Sequence, residues 1–442
     1  MADHGAAPGV RCMKVVTFEK KLSLPAALAV TVGAVIGVGI FVILGPMGAK
    51  CGGTMPLAFA LAAVPAVFGT LVSVALGGTI PADGGGYFYT RSLLGKTTGV
   101  VASLLIVLGA FGALGAVAIG VADYLGAYLP GVPRWVVATG LVLMSYGVNR
   151  VGVMASSWFQ IALVGQLASA LLIVVVAGLV AGASPDVTAT PPAGWGLGGF
   201  TGAAILAALA YVGFNIIGEL GDEVQNPRRN IPIAIAGGLG LIVFFYVGVA
   251  WVVSGNLTIE QMKGSKVALV DAAMLLLPSW FAHYLTLAAV AGAVTSVNAV
   301  FLAVPRELVA LAEDRLLPAW LLAFDAKRQA FSRCLLVVLA AGVGVVLTNM
   351  DVDYFGVMAV VGLMSLNAII SLGAFRLVRR FPEEVASAQF PIRRVWLYPA
   401  AALSLLFSAA FALLGIVEER SVGLLVGIAV VAALAIGIAR GR

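Results

Sequence analysis

Three glycines within seven residues interrupt the first long apolar segment of the chain. Gly33, Gly37 and Gly39 lie in a stretch that otherwise has the composition of a membrane helix, and each glycine costs a helix about 1 kcal/mol relative to alanine. The run Ala210-Tyr211-Val212-Gly213-Phe214-Asn215 is a comparable weak point further along the chain. A break inside a bilayer frees backbone N–H and C=O groups that lipid cannot satisfy. The two breaks therefore predict a binding site, whose exposed helix N-termini attract a carboxylate.

Close helix packing is the alternative interpretation of the first motif, because Gly33 and Gly37 form a small-xxx-small face. The second break favours a binding site, since paired glycine-interrupted helices in corresponding positions of two halves mark the substrate sites of transporters. Gly39 and Gly213 are 174 residues apart, or about five helices. That separation indicates an inverted five-plus-five repeat.

Two further groups of polar residues fall within apolar segments. Asn215 and Glu219 are spaced i and i+4 on one predicted helix face. An ionisable residue within a span is costly and functional by default, so we expect Glu219 to act in coupling or selectivity, with an interfacial ion pair as the alternative. Asn215 is expected to hydrogen-bond a substrate side chain or another helix. Glu223, at the membrane edge, is expected to pair with a basic residue such as Arg228 and to close the cytoplasmic side.

The elements that position these residues follow from the composition. Of 442 residues, 61% are hydrophobic and 10% are charged, whereas soluble domains carry about 25% charged residues. This excludes a soluble enzyme, a nucleic-acid binder and a secreted disulfide scaffold. Long apolar runs favour helices over a β-barrel, so the fold class is an all-α polytopic membrane protein. Only two histidines, His4 and His283, and three dispersed cysteines are present, which argues against a membrane-embedded enzyme.

Apolar runs separated by proline, glycine and charged clusters predict twelve transmembrane helices. Their spans are 24–48, 55–78, 98–128, 134–148, 155–181, 200–221, 232–254, 272–303, 332–349, 353–376, 395–417 and 421–439. With the N-terminus inside, 21 of the 26 basic residues lie on the cytoplasmic side, and this asymmetry predicts that both termini are cytoplasmic. The predicted units are a cytoplasmic segment (1–23), two repeats (24–181 and 200–376) and two peripheral helices (395–439).

Four motifs in order give the chain a family resemblance. They are Gly37-Val38-Gly39-Ile40-Phe41, Pro81-Ala82-Asp83-Gly84-Gly85-Gly86-Tyr87-Phe88-Tyr89, the run from Gly213-Phe214 through Glu223-Val224-Gln225-Asn226-Pro227-Arg228-Arg229-Asn230-Ile231-Pro232, and Arg306 followed by Ala312-Glu313-Asp314-Arg315-Leu316-Leu317-Pro318. The chain resembles the amino acid–polyamine–organocation superfamily over residues 24 to about 380. The resemblance implies a leucine-transporter-like fold of ten core helices in two inverted repeats plus two peripheral helices. It also implies alternating access, with an amino acid or related amine bound between helices 1, 3, 6, 8 and 10.

The resemblance also implies roles for individual residues at the two breaks. The main-chain N–H groups of Gly37, Val38 and Gly39 would bind a substrate carboxylate. The carbonyls of Leu209, Ala210 and Tyr211, ahead of the second break at Gly213, would take the amino group. The Tyr211 ring would close over the substrate, and Phe111 on the third helix is a candidate for the opposite wall. The surrounding alanine, valine and glycine residues favour a compact neutral side chain.

A pair of adjacent hydroxyls, Thr295 and Ser296, suggests a coupling ion. Hard cations such as Na⁺ prefer oxygen ligands, and the resemblance implies a sodium site made by the carbonyls of Gly33, Ile36 and Gly292 with these two hydroxyls. The alternative is that the hydroxyls bond only backbone or neighbouring helices. Residues 155–181 contain no Lys or Arg, which disfavours the lysine-gated proton mechanism of some relatives. Ile40 stands where a second sodium site would need Asn, so at most one Na⁺ is expected, and ion-free exchange stays open.

The leading hypothesis is a secondary transporter of a neutral α-amino acid in the cytoplasmic membrane, with Na⁺ as its only candidate cofactor. One alternative is a proton-coupled or exchange transporter of cationic amino acids or polyamines, in which Glu219 meets the amine. A second alternative, from another class, is a transporter-like sensor that binds ligand without turnover. The expected partners are the small-molecule substrate and the lipid bilayer, not nucleic acid. A monomer or a homodimer is equally compatible with the sequence.

Overall fold

The computed structural model describes most of the chain as helices. It covers residues 22–37, 39–81, 84–126, 128–151, 157–182, 197–211, 213, 217, 220, 223–265, 267–325, 330–389 and 392–440. In the first half the helices are α1 (Leu24–Ile36), α2 (Gly39–Cys51), α3 (Met55–Thr79), α4 (Gly85–Leu94), α5 (Lys96–Leu125), α6 (Arg134–Val151) and α7 (Ser157–Ala181). In the second half they are α8 (Leu197–Ala210), α9 (Pro227–Asn256), α10 (Ile259–Gly264), α11 (Ala268–Leu276), α12 (Phe281–Glu313), α13 (Ser332–Leu347), α14 (Val352–Arg380), α15 (Pro382–Ala386), α16 (Arg394–Glu418) and α17 (Arg420–Arg440).

Several of these helices have the length and composition of membrane spans. Among the described residues, seven helical segments are long and apolar enough to cross a bilayer: Leu24–Thr79, Lys96–Leu125, Gln160–Ala181, Pro227–Asn256, Phe281–Glu313, Val352–Arg380 and Arg394–Glu418. Residues 332–347 and 420–435 form shorter apolar helices. A span needs about 20 apolar residues, so the chain is a polytopic helical membrane protein.

The first predicted span consists of two helices in the structure. α1 ends at Ile36, and Gly37 follows with φ 43° and ψ −146°. Residues that have a Cβ atom rarely adopt this backbone conformation. α2 then begins at Gly39. The backbone therefore leaves the helix in the middle of the apolar segment, at the glycine motif.

Two predicted spans have different limits in the structure. The sixth, predicted over 200–221, stops at Ala210, because Gly213 has a φ of 104° that no helix contains. The eighth, predicted over 272–303, is divided between α11 and α12. Pro278 lacks an N–H and forces Leu277 into an extended conformation, which ends α11.

The end of the eighth predicted span is also wrong. α12 passes through Pro305 and continues to Glu313, ten residues beyond the predicted end at 303. Glu307 in this extension is fully buried. The charged cluster after Val304 is therefore part of the helix bundle and not a loop.

Backbone contact between α5 and α14 holds the centre of the bundle. A Cβ on Gly362 would lie 2.6 Å from the backbone nitrogen of Gly109 and 2.8 Å from the carbonyl oxygen of Leu105. A Cβ on Gly112 would lie 2.5 Å from the backbone nitrogen of Ala359. Small residues that let helix backbones meet are the main packing device of membrane helices, because lipid gives no hydrophobic drive between them.

Replacing Gly362 with alanine should separate these two helices. The new methyl group meets only backbone atoms, which cannot rotate away, and overpacking of this kind costs about 1–3 kcal/mol. We expect Gly362→Ala to lower the thermal midpoint of the purified protein in detergent. Gly344→Ala is the matched control, since a Cβ there meets nothing within 4 Å. Equal midpoints for the two variants would contradict the close α5–α14 packing.

Candidate functional site

The C-terminal turn of α1 must find partners for its carbonyl groups. The last four carbonyls of any helix have no intrahelical donor, and here they belong to residues 33–36 inside the bundle. Gly33 O accepts hydrogen bonds from Thr295 Oγ1 at 3.1 Å and Ser296 Oγ at 2.9 Å. Ser296 Oγ also lies 3.1 Å from Ala34 O. Side-chain hydroxyls from α12 thus replace the helix's own donors.

The hydroxyl cluster includes four of the five residues predicted for a sodium site. Thr295 Oγ1, besides its bond to Gly33, lies 2.8 Å from Gly292 O, so Gly33, Gly292, Thr295 and Ser296 come together. Ile36 is not among these contacts. Ala34 takes its place, because the Ser296 hydroxyl packs directly against the Gly33–Ala34 turn of α1.

Glycines at three positions allow α12 to approach α1 this closely. A Cβ on Gly33 would lie 2.9 Å from Thr295 Cβ. A Cβ on Gly37 would overlap Ser296 Oγ, and one on Gly292 would overlap the carbonyl oxygen of Gly37. Helix breaking and close helix packing, the two interpretations of the glycine motif, therefore occur together, since the glycines interrupt α1 and also let α12 contact it.

Tyr246 of α9 joins the two broken helices. Its hydroxyl lies 2.9 Å from Val35 O at the end of α1 and 2.9 Å from Ala210 O at the end of α8. A phenol has one proton, so the two carbonyls share a single donor. The carbonyl of Ala210, predicted to bind a substrate amino group, already has this donor, although a carbonyl can accept two hydrogen bonds.

Two cavities adjoin the breaks. The smaller has a volume of about 40 Å³ and the larger about 110 Å³. Gly37, Gly39 and Ala210 line the smaller, so both breaks open onto one space. Gly213 lines the larger. The linings share Ala34, Ala113, Val117 and Ser296.

Neither of the two aromatic residues predicted at the site, Phe111 and Tyr211, lines either of these cavities. Ala110, Ala113 and Val117 of α5 line the larger cavity, whereas Phe111 lines neither, because one residue along a helix turns the side chain by about 100°. Tyr211 is 1% exposed and lines neither cavity. Its ring packs edge-on against Tyr246, with centroids 5.2 Å apart.

Four other predicted positions are described only in part or not at all. Leu209 belongs to the last turn of α8, but its side chain lies outside the described atoms. Val38, Asn215 and Glu219 lie outside the described residues.

Comparison with known proteins identifies the family. A model of the family described as amino acid permease matches residues 22–438. The chain belongs to the amino acid permease family. An uncharacterised transporter of Mycobacterium tuberculosis is 32% identical over 72% of each chain. A branched-chain amino acid permease of Bacillus subtilis is 24% identical over 65% of this chain and 66% of its own. A vacuolar cationic amino acid transporter of Arabidopsis thaliana is 26% identical over 68% of this chain and 54% of its own.

At the end of the bundle where α1 begins, an ion pair and backbone hydrogen bonds connect three segments of the permease. Arg306 of α12 pairs with Glu223, with Nε 3.0 Å from Oε1. The backbone of Leu22 donates to Glu223 O at 3.1 Å and accepts from Gln225 N at 2.9 Å. The basic partner of Glu223 is therefore Arg306 and not the nearby Arg228, and the segment before α1 is tied to the segment after α8.

A buried carboxylate lies beside the Arg306–Glu223 ion pair. Glu307 is fully buried and accepts from the backbone N–H of Tyr87, at 3.0 Å, and from the Ser103 hydroxyl. It was missed because Pro305-Arg306-Glu307 resembles a helix end. The N–H of Tyr87 belongs to the first turn of α4, whose free donors favour an anion. Glu307 therefore caps α4 from another helix.

Asp314 extends the same contact region of the permease. It accepts from the Tyr87 hydroxyl and pairs with Arg91, whose Nε is 3.0 Å from Oδ2. Burial, and then the hydrogen bond to Asp314, raise the pKa of the Tyr87 phenol well above its ordinary value. The phenol therefore stays protonated and donates at physiological pH.

Removing the Tyr246 hydroxyl should lower the stability of the permease, because this hydroxyl connects the ends of α1 and α8. Tyr246→Phe leaves two buried carbonyls without their donor, which costs about 1–3 kcal/mol. We expect a lower thermal midpoint in detergent. Tyr211→Phe is the matched control, because the Tyr211 hydroxyl has no hydrogen-bond partner among the described residues. Equal effects of the two substitutions would show that Tyr246 does not bridge α1 and α8.

Proposed function

We propose that the permease is a secondary transporter that carries a neutral α-amino acid across the cell membrane by alternating access. The observation that supports this most strongly is that Gly37, Gly39 and Ala210 line one cavity. Both helix breaks thus present their backbone ends to the same small volume. An α-amino acid carries one anionic and one cationic group on the same carbon atom and matches such a pair of helix ends.

The helix ends supply the charges that the substrate needs. α2 begins at Gly39, so its first-turn N–H groups and the positive end of its dipole favour the carboxylate. α8 ends at Ala210, and the free lone pairs of its last carbonyls favour the ammonium group. No charged residue is among the described lining residues of either cavity. This supports a neutral side chain over a cationic one.

Na⁺ is the coupling ion that we propose as co-transported cargo. The carbonyls of Gly33 and Gly292 and the hydroxyls of Thr295 and Ser296 are all hard oxygen donors, and the two hydroxyls are buried. These four groups fit a sodium ion, which would supply positive charge at the negative end of α1. In the structure the hydroxyls donate to the carbonyls, so ion binding requires them to turn and present lone pairs.

Release to the other side requires the closure at Glu223 and Arg306 to open. This pair connects the segment after α8 to α12, and Leu22 connects it to α1. Opening therefore moves the segments that flank both breaks. We assign this end to the cytoplasm because most basic residues are predicted to lie there.

Counterflow of a labelled amino acid in proteoliposomes tests the transport proposal. We expect unlabelled alanine or leucine inside the vesicles to drive uptake of the labelled compound. Gly37→Ala should abolish it, because alanine disfavours φ 43° and its Cβ overlaps Ser296 Oγ. Gly165→Ala, where a Cβ meets nothing within 4 Å, should transport normally. Saturable binding without counterflow in the wild type would favour a sensor instead.

An imposed sodium gradient tests the coupling proposal. We expect accumulation with Na⁺ outside and none with choline outside. The double substitution Thr295→Ala with Ser296→Ala should remove this dependence while counterflow at equal Na⁺ stays measurable. Thr31→Ala is the control, since among the described residues its buried hydroxyl bonds only to Ala27 O within α1. Equal accumulation in Na⁺ and choline would exclude sodium coupling and leave exchange or proton coupling.

A further inference from the structure

Three of the polar side chains that line the larger cavity, those of Ser73, Tyr89 and Asn367, are not used by the proposed mechanism. Asn367 of α14 lines this cavity and is 2% exposed. Its Oδ1 atom is buried and has no hydrogen-bond partner among the described residues. A buried acceptor without a hydrogen bond is costly, so the lack of a partner for Oδ1 needs an explanation.

The surrounding hydroxyls fix the orientation of the Asn367 amide. Ser371 Oγ donates to the backbone carbonyl oxygen of Asn367 at 2.7 Å, and this bond uses the only proton of the Ser371 hydroxyl. Ser404 Oγ lies 2.7 Å from Ser371 Oγ. Because the Ser371 proton is already used, Ser404 must be the donor in this second hydrogen bond. With its own proton used, Ser404 can only accept from Asn367 Nδ2, at 3.4 Å. Nδ2 also lies 2.9 Å from Ser408 Oγ.

The amide NH₂ group of Asn367 therefore faces α16, where both serines lie, and Oδ1 occupies the opposite edge of the amide. Reversing the amide would place an oxygen against Ser404, whose proton is already committed. The network thus anchors the donor side and leaves the acceptor side free.

The cavity around Asn367 adjoins the helix breaks. Its lining includes Ala34, Gly213 and Ser296, next to the breaks, and Leu363, Met364 and Ile370 from the same helix as Asn367. If the carboxylate and amino groups are held at the breaks, the side chain has this mostly apolar space to enter. No acidic residue is among the described lining residues, so the space does not offer a counter-charge to a cationic side chain.

We propose that Asn367 Oδ1 is a specificity-determining acceptor for the far end of the substrate side chain. It favours a neutral amino acid whose side chain ends in an N–H or O–H donor, such as a carboxamide, over an apolar isostere. A site with a buried acceptor discriminates strongly against an analogue that cannot donate a hydrogen bond to that acceptor. An apolar pocket distinguishes such analogues only weakly. This inference rests on the proposed amino acid transport.

Competition within the counterflow assay tests the inference. Glutamine and norleucine have side chains of similar length, but only glutamine ends in a donor; asparagine and citrulline test the reach. We expect at least one donor-bearing compound to inhibit labelled alanine exchange at a concentration at least about fivefold lower than norleucine does. Equal inhibition by norleucine and all three donor-bearing compounds in the wild type would overturn the inference. Absence of any alanine exchange would instead contradict the proposed function.

Variants at position 367 separate recognition from structure. Asn367→Leu should remove the donor preference, measured as the ratio of inhibition constants within the variant. Asn367→Asp keeps an acceptor, so it should retain the preference and newly admit the cationic side chain of ornithine. Thr79→Val should keep the wild-type ratio, because it removes a buried hydroxyl that, in the described part of the chain, bonds only within α3. A preference that survives in Asn367→Leu, or is lost in Asn367→Asp as well, would show that Oδ1 does not recognise the side chain.

Discussion

The rest of the structure depends on one constraint, which is that the carbonyl groups at the end of α1 must be hydrogen-bonded inside a membrane protein. Lipid offers no donor, and the chain leaves the helix at Gly37 before its own N–H groups can serve. Thr295 and Ser296 of α12 and Tyr246 of α9 supply the missing donors. α12 reaches α1 only because Gly33, Gly37 and Gly292 carry no side chain. The break and the packing around it are therefore a single feature.

Side-chain hydroxyls are suitable partners for helix ends that must later meet a ligand. Each such hydrogen bond is worth only about 0.5–1.5 kcal/mol net, so a ligand group of equal quality can replace it at little cost. A backbone donor from a continued helix could not be exchanged in this way, because the helix itself fixes its position. Tyr246 shares one proton between Val35 and Ala210, which leaves acceptor capacity at both breaks. The structure thus holds the breaks together without saturating them.

Local signals in the sequence located the breaks, because positive φ angles and close backbone approach both require glycine. Gly37 and Gly213 were predicted as breaks because glycine weakens a helix, and both have a positive φ in the structure. The paired hydroxyls Thr295 and Ser296 stand out in an apolar helix. The sequence did not show which face of α5 meets the cavities: Ala110 and Ala113 line the larger one, whereas Phe111 does not.

Partners distant in sequence gave no such signal. Glu307 followed a proline and an arginine and resembled a helix end, while its donors at Tyr87 and Ser103 lie about 200 residues earlier. Tyr246 and Asn367 look like ordinary interior residues until the helices are assembled. Only packing shows that one bridges two helix ends and that the other lines a cavity and has an acceptor without a partner among the described residues. Ser296 then connects these parts, since it lines both cavities and also bonds Gly33 and Ala34. A ligand that turns its hydroxyl removes a donor from α1, so occupancy of the cavity and the stability of the broken helix are linked through one side chain.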